Sequence, residues 1–459
     1  MSSSEINIIP TQYKLDAKPF NILNPVEDQL SEYRSDDATI TNNQVVRIQV
    51  KDISTFTNLN RAYLEVKWKL VKAADGADYA AAEKVALAGH VACMFSRAVL
   101  RIQNSIIETV DEQHLCAQIK SALHFSDDYS RSTATNQFYF KDTGTLLDAS
   151  ADALRPFNNG TIVDGQAANL LAIEENPNYN KGAAIRIQRN LNSAVATAFV
   201  PLSFIFGFCQ VDRLMTGNTI SVELTRSAAV EHIIRNAGAA DAKVEFLKMS
   251  LWAPRLLPSP ALELSLKSAM GGGLRSVYKY PVFNAYTSDT LVASGSTNFR
   301  VLTQSEEIKD VFVMVRQVPG TQLISKNKTL NEFNELEIRM NGVTYPGRRY
   351  DNLEAAAGVE VTEGRTRAYA DLLHYLNKNR DPSTGIQLDR LDFENRSIYH
   401  FDTSSHPANW AKSSTTLEVV CNTTGNSAVG VNRQIVCVVV SERMTTINYG
   451  GSNPVVSIN

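Results

Sequence analysis

Apolar and polar residues alternate along most of the patterned segments of this chain. In residues 63–71 one set of alternate positions holds Leu64, Val66, Trp68 and Leu70, and the other set holds Glu65, Lys67 and Lys69. The same period of two occurs in residues 45–50, 100–103, 220–225 and 335–340. This period predicts half-buried β-strands. Residues 435–440 are apolar at every position, which indicates a central strand that is buried on both faces.

Few segments have the spacing of a helix. Residues 112–125 place apolar residues three and four positions apart, with Asp111 as the expected N-cap. Residues 366–377 and 204–214 are the other predicted helices. Long polar loops separate these predicted elements, and loops of such length usually have a function of their own. The two longest polar loops are residues 127–180 and 377–393.

The same order of elements occurs twice along the chain. Strands at 45–50 and 63–71 open the first half, as strands at 298–302 and 311–316 open the second. The Asn341-Gly342 pair predicts a hairpin, because both central positions of a type I′ turn need a positive φ. Each half would hold about eight strands, which is the number in a jelly roll. We therefore predict an all-β fold of two eight-stranded antiparallel jelly rolls in tandem, with a few short helices in the loops.

The expected boundaries follow from this division. Pro254, Pro258 and Pro260 mark the join, because proline cannot extend a central strand. The polar ends have scattered apolar residues that cannot build a core alone. The predicted segments are an N-terminal arm at 1–38, a first jelly roll at 39–256, a second at 257–447 and a C-terminal tail at 448–459.

An ordered series of short motifs resembles one family. The series runs through residues 63–66, 95–102, 200–208, 214–217 and 222–224, and then through Tyr280-Pro281, Phe333-Asn334, Asn341-Gly342, Tyr345-Pro346 and residues 367–369. It is similar to the double jelly-roll major capsid protein of Polinton-like and adintovirus-like DNA viruses, with virophage capsid proteins as more distant relatives. The resemblance extends over residues 10–447, and it lies in the order of the motifs.

The resemblance implies a structural protein of the virion. In that family, chains form homotrimers with a six-fold-like outline, and these trimers tile an icosahedral shell. Penton and minor capsid proteins are the implied partners. The resemblance also places the termini on the inner side of the shell, where they would link capsomers, so deletion of residues 2–37 is expected to leave trimers but impair shells.

Length, composition and charge agree with this expectation. The chain has 459 residues, enough for two domains, with 44% hydrophobic and 20% charged residues. Its formal net charge is −3, and Arg348-Arg349 is an example of its longest basic run. Neutralising packaged DNA needs many Lys and Arg contacts to phosphate. Any contact with the genome is therefore expected to be weak and independent of sequence.

Two features bear on localisation. Residues 1–10 lack the basic and apolar pattern of a secretory signal, which favours synthesis in the host cytoplasm or nucleus without secretion. Residues 190–211 carry no charge over a length that could span a membrane. The early alternation and the mid-segment Pro201 favour a buried strand followed by a short packed helix.

Two carboxylates have a spacing that bears on catalysis. Glu335 and Glu337 lie two apart on one strand face, with Cβ atoms about 7 Å apart. A jelly-roll glycosidase needs two facing carboxylates about 5–9 Å apart. Arg339 continues the same face, so a solvated or subunit-contact face, with charges that offset each other, is the preferred interpretation.

The other candidates are weaker still. His114 and Cys116 lie on the first helix, but their spacing points the two side chains apart, and burial of Cys116 is expected. His400, Asp402 and His406 have poor spacing for zinc. The glycines at 271–273 neither follow a strand nor open a helix, so an inter-domain loop is expected rather than an anion site. The five Cys residues are scattered and suggest no disulfide or zinc framework.

These observations predict no catalytic, cofactor-binding or metal-binding residue and no enzyme activity. The alternative is a jelly-roll protein that binds or cleaves carbohydrate. Trp68 lies on an apolar strand face, which favours a core position over a sugar platform. A third interpretation is a copy of the capsid gene resident in a host genome as a transposon. The four glycosylation sequons are interpreted as turn residues; they begin at Asn159, Asn327, Asn395 and Asn422.

Overall fold

The computed structural model of the chain describes most of the two predicted domains. The described residues are 27–35, 44–50, 55–143, 179–236, 238–260, 263–264, 268, 272–289, 291, 295–303, 307–318, 320, 322, 329–330, 333–351, 363–379, 388, 393, 398–405, 416–422, 433–449 and 455–458.

The first half forms two antiparallel four-stranded sheets. Its strands are β1 (Glu27–Arg34), β2 (Val45–Val50), β3 (Tyr63–Lys72), β4 (Val85–Leu87), β5 (Phe95–Ile102), β6 (Ser105–Asp111), β7 (Ala196–Pro201), β8 (Ile220–Arg226), β9 (Ile233–Arg235) and β10 (Ala242–Leu257). Sheet 1A has the order β1-β10-β3-β7, and sheet 1B has the order β2-β8-β5-β6. The short strands β4 and β9 pair only with each other.

The second half repeats this arrangement. Its strands are β11 (Arg275–Thr287), β12 (Ser296–Val301), β13 (Ile308–Gln317), β14 (Thr329–Leu330), β15 (Glu335–Met340), β16 (Val343–Asp351), β17 (Tyr399–Asp402), β18 (Leu417–Asn422), β19 (Arg433–Asn448) and β20 (Val455–Ile458). Sheet 2A has the order β11-β19-β13, with β14 and β17 both on the far edge of β13 and β20 on β19. Sheet 2B has the order β12-β18-β15-β16.

Six α-helices connect the strands in the described part of the chain. They are α1 (Gln113–His124), α2 (Asp127–Arg131), α3 (Lys181–Arg189), α4 (Leu202–Ile205), α5 (Ala229–His232) and α6 (Glu363–Asn379).

Each half has the strand order of a jelly roll. Eight main strands remain in each half once β4, β9, β14 and β20 are set aside. One sheet then joins the first, eighth, third and sixth strands, and the other joins the second, seventh, fourth and fifth. This order defines the jelly roll and is the same in both halves. The predicted double jelly roll is confirmed.

The alternation in the sequence corresponds to the two faces of each sheet. In β3, Val66 and Trp68 are fully buried, and Trp68 packs edge-on against Phe138 with ring centroids 5.0 Å apart. In β19, all six residues at 435–440 are buried, because β11 and β13 flank the strand and both faces of sheet 2A are covered. The prediction of a central, doubly buried strand is confirmed.

The ends of the chain differ from expectation. Glu27–Arg34, expected within the N-terminal arm, is the edge strand β1 and pairs with β10 along its length. Val455–Ile458, expected within the tail, pairs with β19. β1 is the first of the eight main strands of its jelly roll, whereas β20 is a short addition to sheet 2A. Leu30 and Val455 are exposed, so burial imposes no period of two on these segments. Residues 1–26 lie outside the described residues.

Two predictions about the ends of elements need correction. Strand β10 continues through Pro254 to Leu257, because its pairing with β3 ends at Trp252 and the proline interrupts no ladder with β3. Asp111 is not the N-cap of α1. It is the last residue of β6 and pairs with Arg97, so the helix begins after Glu112, which has a positive φ of 50°.

The predicted helix at 204–214 is shorter and begins earlier. It consists of α4 and a single 3₁₀ turn at Phe208–Gln210. The uncharged segment at 190–211 therefore contains β7 followed by α4, as the preferred interpretation held. In the parts of the chain that the structure describes, no helix has the length and apolar character needed to cross a bilayer.

Candidate assembly site: the sandwich junction and the outer sheet faces

The two sandwiches meet along the edge of β11 that faces away from β19. From the first sandwich, α1, β6 and the 3₁₀ turn at Phe208–Gln210 contact this strand. The backbones approach most closely at Gly207, where a β-carbon would lie 1.7 Å from the carbonyl oxygen of Pro281. Only glycine fits this position without moving one sandwich relative to the other.

A buried carboxylate fixes the turn that makes this approach. Glu108 of β6 is fully buried, and its two carboxylate oxygens accept hydrogen bonds of 2.9 Å from the backbone N–H groups of Gly207 and Phe208. Burial raises the pKa of Glu108 to about 6, although the two N–H donors favour the charged form. A β-bulge in the β5–β6 pairing lies at this point of β6, and both Ile107 and Glu108 are buried.

A buried lysine lies at the same junction. Lys120 of α1 donates hydrogen bonds to the carbonyl oxygens of Phe204 at 3.0 Å and Ile205 at 3.3 Å. Its ammonium group also lies 4.4 Å from the ring centroid of Phe283 in β11, within the range of a cation–π contact. Burial lowers the pKa of Lys120. One side chain therefore contacts both sandwiches.

The second sandwich donates hydrogen bonds in return. The hydroxyl of Tyr280 donates to the carbonyl oxygen of Ile107 at 3.1 Å, and Arg443 donates to the same oxygen at 3.2 Å. Phe208 packs between Tyr278 and Tyr280, with centroid distances of 4.8 and 5.3 Å. The junction thus continues the core, and the hydrogen bonds from Tyr280 and Arg443 to Ile107 join polar groups across it.

An ion pair closes the other end of the junction. Arg316 of β13 contacts Glu231 of α5 at 2.6 Å, and Glu231 also lies 3.4 Å from His114 of α1. Burial would raise the pKa of Glu231, but the contact with His114 and the charge of Arg316 outweigh it and lower that pKa to about 2. Glu231 therefore links α5 and α1 of the first sandwich to β13 of the second.

The outer face of sheet 2A is apolar and buried. Its central residues are Phe283, Ala285, Phe312, Met314, Val436, Val438 and Val440. The first sandwich covers part of this face through α1, where His124 lies edge-on to Phe283 and within 3.0 Å of the hydroxyl of Tyr375. Tyr375 of α6 also packs edge-on against Phe312 of this face, with ring centroids 5.0 Å apart. Together, α1 and α6 explain why β19 is apolar on both faces.

The outer face of sheet 1A has a different character. Leu30, Tyr63 and Phe199 are 48%, 39% and 42% exposed, and Trp252 lies beside Tyr63 in the register. Between them, Lys248 bridges Glu32 at 2.8 Å and Glu65 at 2.7 Å. The indole N–H of Trp252 also donates to Glu65 at 2.7 Å. This face combines aromatic groups with a satisfied ion network.

The outer faces of the B sheets contain paired charges. On sheet 2B, Glu337 pairs with Arg339 at 2.6 Å, and Glu335 pairs with Arg349 at 3.0 Å. Arg339 therefore offsets Glu337 as predicted, whereas the partner of Glu335 is Arg349 of β16, which the sequence interpretation did not name. On sheet 1B, Glu223 pairs with two arginines; they are Arg47 at 2.8 Å and Arg101 at 3.1 Å.

The histidine and cysteine candidates are not brought together. Cys116 is buried as predicted, and its thiol contacts the carbonyl oxygen of Phe283, whereas His114 faces Glu231. Burial raises the pKa of Cys116 to about 12, so its thiol is protonated at neutral pH. All five cysteines are free and buried. Nothing in this pairing provides a nucleophile and its base.

The remaining candidates give no cluster either. His400 lies 2.9 Å from Asp310, while Asp402 accepts from Ser404. His406, Gly271, Trp410 and the sequon residues Asn159, Asn327 and Asn395 lie outside the described residues. Within the described ranges, no three His, Cys, Asp or Glu side chains could share a metal ion.

The sequence pattern alone does not identify Glu108, Gly207 or Lys120 as junction residues. One signal was present, because Glu108 is a lone charge in the otherwise apolar and polar-neutral run at 105–110. Its partners are about a hundred residues away, at separations of 99 and 100. No local pattern identifies such a pair.

The fold is similar to that of viral capsid proteins of known structure. A chain of the Sputnik virophage, determined by cryo-EM, matches with a TM-score of 0.60 and 12% identity over 100% of this chain and 93% of that one. The mavirus major capsid protein matches at 0.50 and 12% over 100% and 95%. The Faustovirus major capsid protein matches at 0.52 and 7% over 94% and 92%.

At these identities the likeness establishes the fold, a double jelly roll over nearly the whole length of each chain. No family model and no curated protein sequence matches the chain.

Proposed function

We propose that the chain is the major capsid protein of an icosahedral DNA virus and assembles as pseudo-hexameric homotrimers. The observation that carries this proposal is the junction. Two jelly rolls of identical strand order are joined by a buried contact across Gly207 and Pro281. The proteins that share this architecture are capsid proteins by their names, which supports the assignment by analogy of fold.

The architecture suits a shell. Two similar sandwiches in one chain allow three chains to present six similar units, so that a trimer fills a hexagonal position in a lattice. Head-to-tail contacts of this kind close into a ring when the rotation per unit is right. The paired charges on the outer faces of the B sheets keep the unassembled chain soluble.

The chemistry of the candidate residues from the sequence supports a purely structural role. Buried, protonated thiols such as that of Cys116 and carboxylates paired with arginine provide neither a nucleophile nor a general acid. We therefore infer no catalysis, no cofactor and no metal-binding residue. Trp68, the tryptophan weighed as a sugar platform, is fully buried, which counts against the carbohydrate alternative.

The finer assignments belong to the same proposal. A Polinton-like or adintovirus-like virus, or a genome-resident copy of its capsid gene, is the source that the motif order supports. Penton and minor capsid proteins would be partners, and the virion would be the location after synthesis in the host cytoplasm or nucleus. A net charge of −3 supports weak, sequence-independent contact with DNA. The jelly rolls would divide between β10 and β11.

Electron microscopy of the purified full-length chain tests the proposal. Particles with a hexagonal outline, and closed shells at high protein concentration, are expected. Uniform particles of the size of one chain under all conditions would overturn it.

A further inference from the structure

The two sandwiches share a strand order but differ in the cover of one face. The outer face of sheet 2A is apolar and is covered within the chain by α1, through contacts such as that of Lys120 with Phe283. The outer face of sheet 1A keeps Leu30, Tyr63 and Phe199 at 48%, 39% and 42% exposure. The chain therefore covers the outer face of sheet 2A with a helix of the other sandwich. It leaves the equivalent face, that of sheet 1A, exposed.

The helix that makes the contact has a counterpart with an exposed side. In the order of the jelly roll, α1 and α6 both lie between the fifth and sixth strands. Most residues of α1 are buried, because it lies between two sandwiches. In α6 one side is buried, while Thr366, Ala370 and His374, at four-residue spacing, are exposed. The second sandwich thus has in α6 the counterpart of the helix with which the first sandwich contacts sheet 2A, and one side of α6 is exposed.

We propose that the outer face of sheet 1A binds the α6 side of the second sandwich of another copy of this chain. This inference rests on the proposed trimer and names the surfaces that close it. The contact repeats between copies the arrangement that α1 and sheet 2A make within the chain. Because the two surfaces differ, each copy uses both of them, and the assembly closes head-to-tail as a ring.

The polar groups on the outer face of sheet 1A suit a surface that is exposed in the free chain and buried in the assembly. The carboxylates of Glu32 and Glu65 are both bound by Lys248, and the indole N–H of Trp252 is bound by Glu65. Each of these groups already has its partner in the same chain, so burial against another copy leaves no unpaired charge. Tryptophan and tyrosine at the centre of such a face are the residues that contribute most to protein–protein binding.

The test uses one variant on each surface and a matched control. Phe199→Glu puts a charge in the centre of the sheet 1A face, and Ala370→Arg puts a long charged side chain on the exposed side of α6. Val45→Glu is the control, because Val45 is 45% exposed on sheet 1B of the same sandwich. Leu30→Glu is a second face variant on a different strand. Thermal unfolding of each variant confirms that the chain is folded.

Solution mass then gives the oligomeric state as a function of concentration. Both face variants and the α6 variant should require at least about tenfold more protein to form trimers than the wild type, while Val45→Glu should not differ. An equimolar mixture of Phe199→Glu and Ala370→Arg should form a heterodimer, since one intact face and one intact helix remain between the two chains.

Three outcomes would overturn the proposal. Trimers of Phe199→Glu and Leu30→Glu at wild-type concentration would show that the face is not used between copies. Loss of trimers in the face variants but not in Ala370→Arg would indicate face-to-face pairing. A mixture without heterodimers would exclude the head-to-tail contact. A wild-type chain that never forms trimers would instead contradict the proposed function itself, so the two failures are distinguishable.

Discussion

Gly207 lies against Pro281 so closely that a β-carbon on residue 207 would be 1.7 Å from the proline carbonyl oxygen. The two residues belong to different sandwiches, and Glu108 holds the turn of the first one in place through the N–H of Gly207. The relative position of the two jelly rolls is therefore fixed by a backbone-to-backbone contact. Side chains such as Tyr280 and Lys120 surround this contact.

Replacing the glycine should separate the sandwiches. Gly207→Ala is expected to lower the free energy of unfolding by about 1–3 kcal/mol, because the atom in the way belongs to the backbone and cannot rotate aside. Denaturant unfolding measures the change. Gly320→Ala is the control, since no atom lies within 4 Å of the β-carbon there. Equal stability of the two variants would contradict the close approach.

The buried carboxylate predicts a particular pH dependence. Its pKa in the folded chain, about 6, is above the ordinary value of 4.5, so the folded state binds the proton more tightly than the unfolded state. The contribution of Glu108 to stability is therefore fully present below pH 4.5 and is lost as the pH rises through about 6. The shift corresponds to about 2 kcal/mol.

Glu108→Gln isolates this contribution, because the amide does not titrate. Unfolding free energies of the wild type and the variant, measured from pH 4.5 to pH 7, should differ by an amount that changes by about 2 kcal/mol across the range. A difference that is constant with pH would show that Glu108 does not titrate in this window. At pH 7 the variant should also lose one acceptor for the N–H groups of Gly207 and Phe208.

The ion pair across the junction predicts a second loss of stability. Arg316→Ala leaves Glu231 partly buried beside His114 without its arginine partner, and removal of one partner from such a pair costs about 3 kcal/mol. Arg349→Ala removes a more exposed pair with Glu335, for which less than about 1 kcal/mol is expected. Calorimetric unfolding of both variants at neutral pH compares them. Similar losses in the two variants would show that the junction pair is no stronger than a surface pair.

Shortening the N-terminal segment should affect shell formation without affecting trimer formation. Because β1 is part of sheet 1A, deletion of residues 2–37 should destabilise the first sandwich, whereas deletion of residues 2–24 spares the strand. The shorter deletion is expected to leave trimers intact and to impair shells, if the arm links capsomers. Normal shells from that truncated chain, seen by electron microscopy, would remove the linking role.

Much of the fold could be predicted because burial imposes a period on the sequence. Residues 63–71 alternate because β3 has one face in the core, and residues 435–440 do not alternate because β19 is covered on both faces. Strand β1 could not be found this way, since Leu30 faces outward on an edge strand. The junction could not be predicted either, because Glu108 and Gly207 are far apart in sequence and only the folded chain brings them together.

The mass of the purified chain in solution tests the central claim most directly. Sedimentation equilibrium or light scattering over a wide concentration range should give a mass that rises with concentration to three times the chain mass of 50.6 kDa and no further, as expected for a ring that closes with its third member. A chain that remains at 50.6 kDa at high concentration would contradict the assignment of this double jelly roll as a capsid protein that assembles as trimers.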